Sequence, residues 1–437
     1  MWWSIGIPVL AGSLYLARGL ARNHRRLKRW QKAMALCRVT EVESSGFGAW
    51  RAKLTARSGS TEVRITDARG NSDWAEVVIE GPEGFSVVKL RRQTRKLWTR
   101  EIEVGDENFD DAFLVDGSIR PVHARLDATV RRQLVRASAV CGPLEIGGGQ
   151  LRADVSDEML PRALPLLLAM SRQLARPVDV ERRIAENARR DPGAGVRLTN
   201  LLLLVRERPG DPDTLQVLRS ACSDASPKVR LRAAIELGEE GHNVLLELAE
   251  DTADDDSSAR AVLHLGDKLP LGLASAILFR SLNKGLFQTA RACLEVLGHR
   301  GAAAVEMLEK VMTREKGELA AATAMALGTT GETGAEPPLL QALQSEDRDL
   351  REAAATALGR VGTAAAVQPL REAAERSLLD LALRRVARQA IAEIQSRLHG
   401  ASPGQLSLAE AEAGQLSLAP FEAGQLSLTA PPPKELK

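Results

Sequence analysis

The chain has 437 residues, 44% hydrophobic and 27% charged, which is enough to bury more than one core. Aromatics make up only 3%, which argues against a large β-sandwich and for helices packed through alanine and leucine. A net charge of +2 supplies no global field for a polyanion, so no nucleic-acid partner is expected.

The N-terminus divides in two. Trp2 to Ala17 carries no charge, and then Arg18, Arg22, Arg25, Arg26, Lys28, Arg29 and Lys32 follow with no acid among them. As a helix the uncharged run is about 24 Å long at ~1.5 Å per residue, short of a ~30 Å hydrocarbon core. Snorkelling of Arg18 extends it to about Ala21 and makes a span feasible. The expectation is a membrane anchor over 1–34, single-pass in a bacterial inner membrane. Trp2 and Trp3 would lie at one interface, Leu10, Leu14 and Leu16 in lipid, and Arg22, Arg25 and Arg26 at anionic headgroups. Basic residues after the run place the rest of the chain on the cytoplasmic side. A cleaved signal would carry its basic residues first; an interfacial or buried helix is the other alternative.

Residues 35–177 alternate between short strands and turns. Trp50–Ala56, Thr61–Asp67, Ala75–Gly81, Phe85–Arg92, Thr99–Gly105 and Gln150–Val155 read as strands of a small antiparallel sheet with one covered face. Leu126–Ser138 and Glu158–Ala175 read as amphipathic helices that cover it. Gly147–Gly149 is a hairpin turn, because no helix start with a Lys or Ser partner follows as a phosphate cradle needs. Asp106, Glu107, Asp110 and Asp111 offer oxygens to a hard cation but lack the spacing of a calcium loop. The plainer reading is a turn capped by Asp106 with Phe109 and Phe113 buried on one side. The set Gly105-Asp106, Phe109-Asp110, Phe113 and Leu126-Asp127 resembles a domain of membrane-anchored bacterial proteins, to which no activity is attached.

Residues 178–398 repeat. Val229–Gly241, Thr289–Gly301, Leu319–Gly331 and Leu350–Gly362, with the weaker Ser258–Lys268, are alanine-rich segments that each contain a Leu-Gly pair. The pairs recur about every 30 residues, the period of a two-helix solenoid unit. Gly238, Gly266, Gly298, Gly328 and Gly359 are expected to end their helices in the left-handed conformation. Aliphatic helices such as Asn243–Asp251 and Ala304–Met312 follow, and no unit can bury its own face, so stacking is obligatory. Asn187–Val205 reads as a degenerate capping unit, with Arg197 where a later copy has Arg230. The helix Ala382–Leu398 closes the far end. These copies resemble HEAT repeats of the short bacterial kind, similar to those of phycobilisome lyases, and the resemblance implies a right-handed α-solenoid that docks another macromolecule. Arg371, Arg384, Arg385 and Arg388 form a candidate docking surface.

Catalysis is the alternative, as a HEAT-repeat enzyme of lyase type, although bilin lyases share only the repeat with this chain. Iron-dependent hydroxylases built on HEAT repeats resemble this architecture but place His-Glu dyads at repeat ends. Here His242, His264 and His299 precede Asn243, Leu265 and Arg300. No nucleophile–base pairing is visible, and Cys37, Cys141, Cys222 and Cys293 have no metal or disulfide spacing. The chain is therefore expected not to be an enzyme and to hold no cofactor.

Residues 399–437 are poor in core-forming residues and read as a disordered tail. The tail repeats Gly-Gln-Leu-Ser-Leu three times: Gln405, Leu406 and Leu408; Gln415, Leu416 and Leu418; Gln425, Leu426 and Leu428. Three readings stand: drifted low-complexity sequence, a multivalent ligand for an unknown partner, or a peptide for the bacterial sliding clamp. The motif resembles the clamp peptide in its Gln and Leu-Ser-Leu, while Ala409, Ala419 and Thr429 replace its final phenylalanine. The whole reads as an α+β multidomain chain: transmembrane helix, small antiparallel sheet domain with packed helices, HEAT-like solenoid, tail. The expected function is a membrane-anchored protein-binding scaffold, with membrane lipid and an unknown protein as partners.

Overall fold

A computed structural model describes residues 3–37, 41–45, 52–58, 61–68, 73–81, 88–92, 102–376 and 380–397. The chain separates into two compact units, Met1–Gly241 and His242–Lys437.

In the first unit α1 (Trp3–Leu36) leads into β1 (Glu41–Ser45), β2 (Lys53–Ser58), β3 (Thr61–Asp67), β4 (Trp74–Glu80) and β5 (Val88–Arg92). Then come α2 (Glu107–Asp110), β6 (Phe113–Gly117), α3 (Ile119–Arg125), α4 (Ala128–Val140), β7 (Leu144–Gly147), β8 (Gln150–Ser156) and α5 (Leu160–Leu174). The eight strands form one antiparallel sheet in the order β1-β2-β3-β4-β8-β7-β5-β6. Val63 and Ile65 of β3, Ala75, Val77 and Ile79 of β4, and Leu151, Ala153 and Val155 of β8 are buried at every second position. Leu164, Leu167 and Leu168 of α5 join them in one core. Thr61–Asp67 is a strand as expected. The expected strand at Thr99–Gly105 is absent among the described residues 102–105, where Ile102 N–H donates to Val115 O at 3.0 Å as an isolated contact. Gly148 and Gly149, at φ 59° and 78°, make the β7–β8 turn.

The expected anchor is overturned. Among the described residues no helix is long and apolar enough to cross a membrane. The uncharged run is short, is interrupted by Gly6, Pro8 and Gly12, and is closed by Arg18. Beyond it α1 continues through the basic segment and packs on α5 and β2. Arg22 and Arg25 are exposed, but Arg26 is buried and does not meet headgroups. Its Nε lies 2.6 Å from Asp157 Oδ2, its Nη2 donates to Trp74 O at 2.9 Å, and it also pairs with Asp67. The Arg26 guanidinium lies 4.9 Å from the Trp30 ring centroid, and Trp30 Nε1–H donates to Asp157 Oδ1 at 2.9 Å. Trp3, Leu10, Leu14 and Leu16 lie on α1, and Trp2 lies outside the described residues. The single-pass inner-membrane placement drawn from it falls with the span.

Four helices complete the first unit: α6 (Val180–Arg190), α7 (Ala194–Glu207), α8 (Pro212–Ala221) and α9 (Pro227–Leu237). The hairpin α6–α7 is tied to the sheet layer. Arg131 of α4 is buried, with Nη2 2.8 Å from Asp191 Oδ1 and Nε 2.8 Å from Asp106 Oδ2. Gly105 and Gly195 touch so closely that a Cβ on Gly195 would lie 2.3 Å from Gly105 O.

The second unit is a row of hairpins: α10 (His242–Glu250) with α11 (Asp255–Leu265), α12 (Leu271–Lys284) with α13 (Phe287–Gly298), α14 (Ala302–Arg314) with α15 (Glu318–Thr329), α16 (Glu336–Ala342) with α17 (Arg348–Val361), and α18 (Val367–Arg376) with α19 (Leu381–Arg397). Each aliphatic helix pairs with the alanine-rich helix that follows it. The alanine-rich helices α11, α13, α15, α17 and α19 then pack directly on one another in sequence.

The Leu-Gly pairs do two different jobs. Gly238 and Gly266 leave their helices at φ 60° and 48°, as expected. Gly298, Gly328 and Gly359 do not: they stay helical and buried, against the next alanine-rich helix. A Cβ on Gly328 would lie 2.6 Å from Ala357 Cα, and one on Gly359 would lie 3.1 Å from Ala390 Cα. The absent side chain lets two backbones approach, and the chain reverses a few residues later, at Gly301 and Gly331 with φ 60° and 72°.

Candidate interaction surface

The acidic turn is structural. Asp106 is the N-cap of α2, accepting from Phe109 N–H, and Asp110 accepts from the backbone N–H groups of Val104, Gly105 and Asp106. Phe109 and Phe113 are buried with ring centroids 5.2 Å apart. Burial pushes the Asp110 carboxyl up, and its three backbone bonds work against that. Among the described residues no cluster of His, Cys, Asp and Glu has the arrangement to hold a metal ion. His264 and His299 are exposed on or just beyond two alanine-rich helices, and His242 is half-buried at the start of α10. Cys293 is fully buried, and desolvation pushes its thiol up to about 12, which keeps it protonated and unreactive.

One arginine position recurs. Arg197 donates to Asp191 O and Pro192 O, Arg230 to Asp224 O and Ala225 O, and Arg351 to Ser345 O and Glu346 O. In every case the acceptors lie six and five residues upstream, where the loop leaves carbonyls unpaired before the helix. The expected equivalence of Arg197 and Arg230 therefore has a physical meaning: this side chain closes the loop. Arg197 also holds Asp224 bidentately at 2.7 Å, joining two hairpins.

Arg384 falls in the same register, 33 residues after Arg351, and is half-buried. Arg385 and Arg388 are exposed on α19. Arg371 lies on α18 and pairs with Glu375 at 3.3 Å. The candidate basic set is thus spread over two helices. Gln405 to Leu408, Gln415 to Leu418 and Gln425 to Leu428 lie outside the described residues.

A surface that sequence reasoning missed lies on the alanine-rich row. A cleft of about 580 Å³ crosses α11, α13 and α15. Ala259, Ala292, Ala322 and Ala326 line it with Leu263, Leu294 and Met325. Asp256, Arg260, Gln288, Arg291, Glu295 and His299 add polar and charged groups. Leu263 is 44% exposed. Arg260 pairs with Asp256 at 3.1 Å and Arg291 with Glu318 at 2.7 Å, so the rim charges are largely spent on each other. The signal is readable once the copies are aligned on Leu-Gly. Two positions before that leucine, two copies carry Glu295 and Thr356 and three carry the apolar Ile235, Leu263 and Met325; of these Leu263 is exposed and the other two are half-buried.

Stacked helical hairpins with an open apolar face define a helical-repeat protein. Residues 305–392 match the family model for HEAT repeats. No curated protein matches the chain. Among solved structures, an engineered protein is similar at 19% identity, covering 42% of this chain and 96% of its own, with a TM-score of 0.30. Human deoxyhypusine hydroxylase in complex with glycerol is similar at 15% identity, covering 49% of this chain and 95% of its own, with a TM-score of 0.23.

Proposed function

We propose that the protein is a non-catalytic scaffold whose alanine-rich helix row docks a protein partner. One observation supports this above the others: the cleft across α11, α13 and α15 presents Leu263 to solvent, with half-buried Met325 beside it, among alanines. A fold that needs only the buried side of each helix gains nothing from apolar groups on the other side, so they are best explained by a surface that covers them. The rim carries acids and bases together, Asp256 and Glu295 with Arg260 and Arg291, which favours a protein over a polyanion. The short period favours repeats of the bacterial, lyase-like kind. The proposed division is an N-terminal segment to residue 34, an α+β part to 177, repeats to 398 and a tail carrying three copies of a short linear motif.

The test is position-dependent photo-crosslinking in cells. A crosslinker at Leu263 or His299 should capture one protein. The same group at exposed Lys310 on α14, in the other helix row, should not. Equal capture from both rows would reject the docking face.

A further inference from the structure

We propose that the segment Gly404–Leu428 of this same chain occupies the α11–α13–α15 cleft, so that the protein carries its own competitor for that face. The proposal rests on reading the cleft as a docking surface, and four observations point to this occupant.

The first is chemical match. The cleft is lined by Ala259, Ala292, Ala322 and Ala326 with Leu263 and Met325. The segment offers mainly leucine, alanine and serine, with one aromatic, Phe421, between the second and third pentads. The second is spacing. In an extended strand the two leucines of a pentad project on one side about 7 Å apart. Neighbouring packed helices lie about 8–10 Å apart, so one pentad spans from one helix crest into the adjoining seam. The third is reach. Roughly 60 Å of extended chain separates Arg397 from Leu416 at ~3.3 Å per residue. Travelling back from α19 to α11 requires about 36 Å at ~9 Å per helix. The second and third pentads are therefore within reach of the cleft. The fourth is charge. Gly404–Leu428 carries Glu410, Glu412 and Glu422 and no basic residue, while between Arg348 and Arg397 arginines outnumber acids. The segment returning along the row crosses helices of opposite charge balance.

Tethering turns weak contacts into an effective block. Covalent attachment holds each pentad at an effective concentration on the order of 1 mM, and three copies supply replacements for one another. A partner must then displace the segment.

The test uses the full chain and a fluorescein-labelled synthetic peptide spanning 404–428, read by fluorescence anisotropy. One protein is the native chain; the other has Leu406, Leu408, Leu416, Leu418, Leu426 and Leu428 all changed to Ser. The substituted chain should bind the peptide saturably, and the native chain about tenfold more weakly because its own copies compete. Adding Leu263→Glu to the substituted chain should abolish binding, while Lys310→Glu should leave it unchanged. Both positions are solvent-exposed, so neither change should unfold the protein, which a circular dichroism melt checks. The proposal is overturned by no binding to either chain, by equal binding to both, or by binding indifferent to Leu263→Glu. Concentration-dependent dimerisation of the native chain, abolished by the six serines, would place the segment in a neighbouring copy and also reject occupancy within one chain. Any of these failures leaves docking of a separate partner standing, because crosslinking from Leu263 reads that independently.

Discussion

Arg26 illustrates how far a residue's role depends on its surroundings. In sequence it is one of seven bases in a row; in the fold it is buried with Asp157, Asp67 and Trp74 O around it. Removing the cation leaves buried carboxylates uncompensated. Arg26→Ala should cost about 3–5 kcal/mol in urea unfolding, whereas Arg25→Ala, on the exposed side, should stay within about 0.5 kcal/mol. His123 makes the pH-dependent counterpart. Burial first, and then the charge of Arg131, push its imidazole from 6.5 down to about 4. The unfolded chain takes up this proton below about pH 6.5 and the folded chain only below about pH 4. The contribution is therefore intact at neutral pH and is lost as pH falls through that window. About 3 kcal/mol should disappear by pH 4. Urea midpoints measured from pH 7 to 4 should show a flatter slope for His123→Gln than for the native chain.

The alanine-rich helices owe their order to size more than to polarity. α15 is apolar nearly all round, and its residues from Leu319 to Thr330 are buried or half-buried. It can lie between α13 and α17 because Gly298 and Gly328 remove the side chains that would hold the backbones apart. Gly328→Ala should destabilise by about 1–3 kcal/mol through overpacking against Ala357. Gly272→Ala, in the first turn of α12 with open space around it, should instead stabilise by a few tenths to about 1 kcal/mol. Thermal denaturation of both variants gives opposite signs if the glycines play these two roles, and the same sign if both are mere helix-weakeners.

Within the first compact unit, a buried ion-paired arginine joins sheet layer and helical hairpin, alongside the more exposed pairs that Arg120 makes with Glu181 and Glu207. Arg131 links α4, the Asp106 turn and Asp191, the residue after α6; Asn187 Nδ2–H adds a 2.9 Å bond to His123 O. Arg131→Ala should cost about 3–5 kcal/mol and should raise amide exchange over 180–207 as well as over 106–140. Exchange confined to 106–140 would mean that the hairpin holds itself up without the sheet.

Repetition at thirty residues, alternation of apolar residues in β3, β4 and β8, and the glycine turn before β8 were legible along the chain because each is a local pattern. The same holds for the turn capped by Asp106, where cap and aromatic pair lie within a few residues. What could not be read there depends on distant neighbours. Basic residues beside an uncharged run look alike until the fold brings Asp67 and Asp157 to one of them. A glycine after leucine looks like a helix stop until an alanine about thirty residues on is found against it. The apolar cleft exists only when three helices, each ordinary alone, are laid side by side, because exposure is a property of packing and not of a segment.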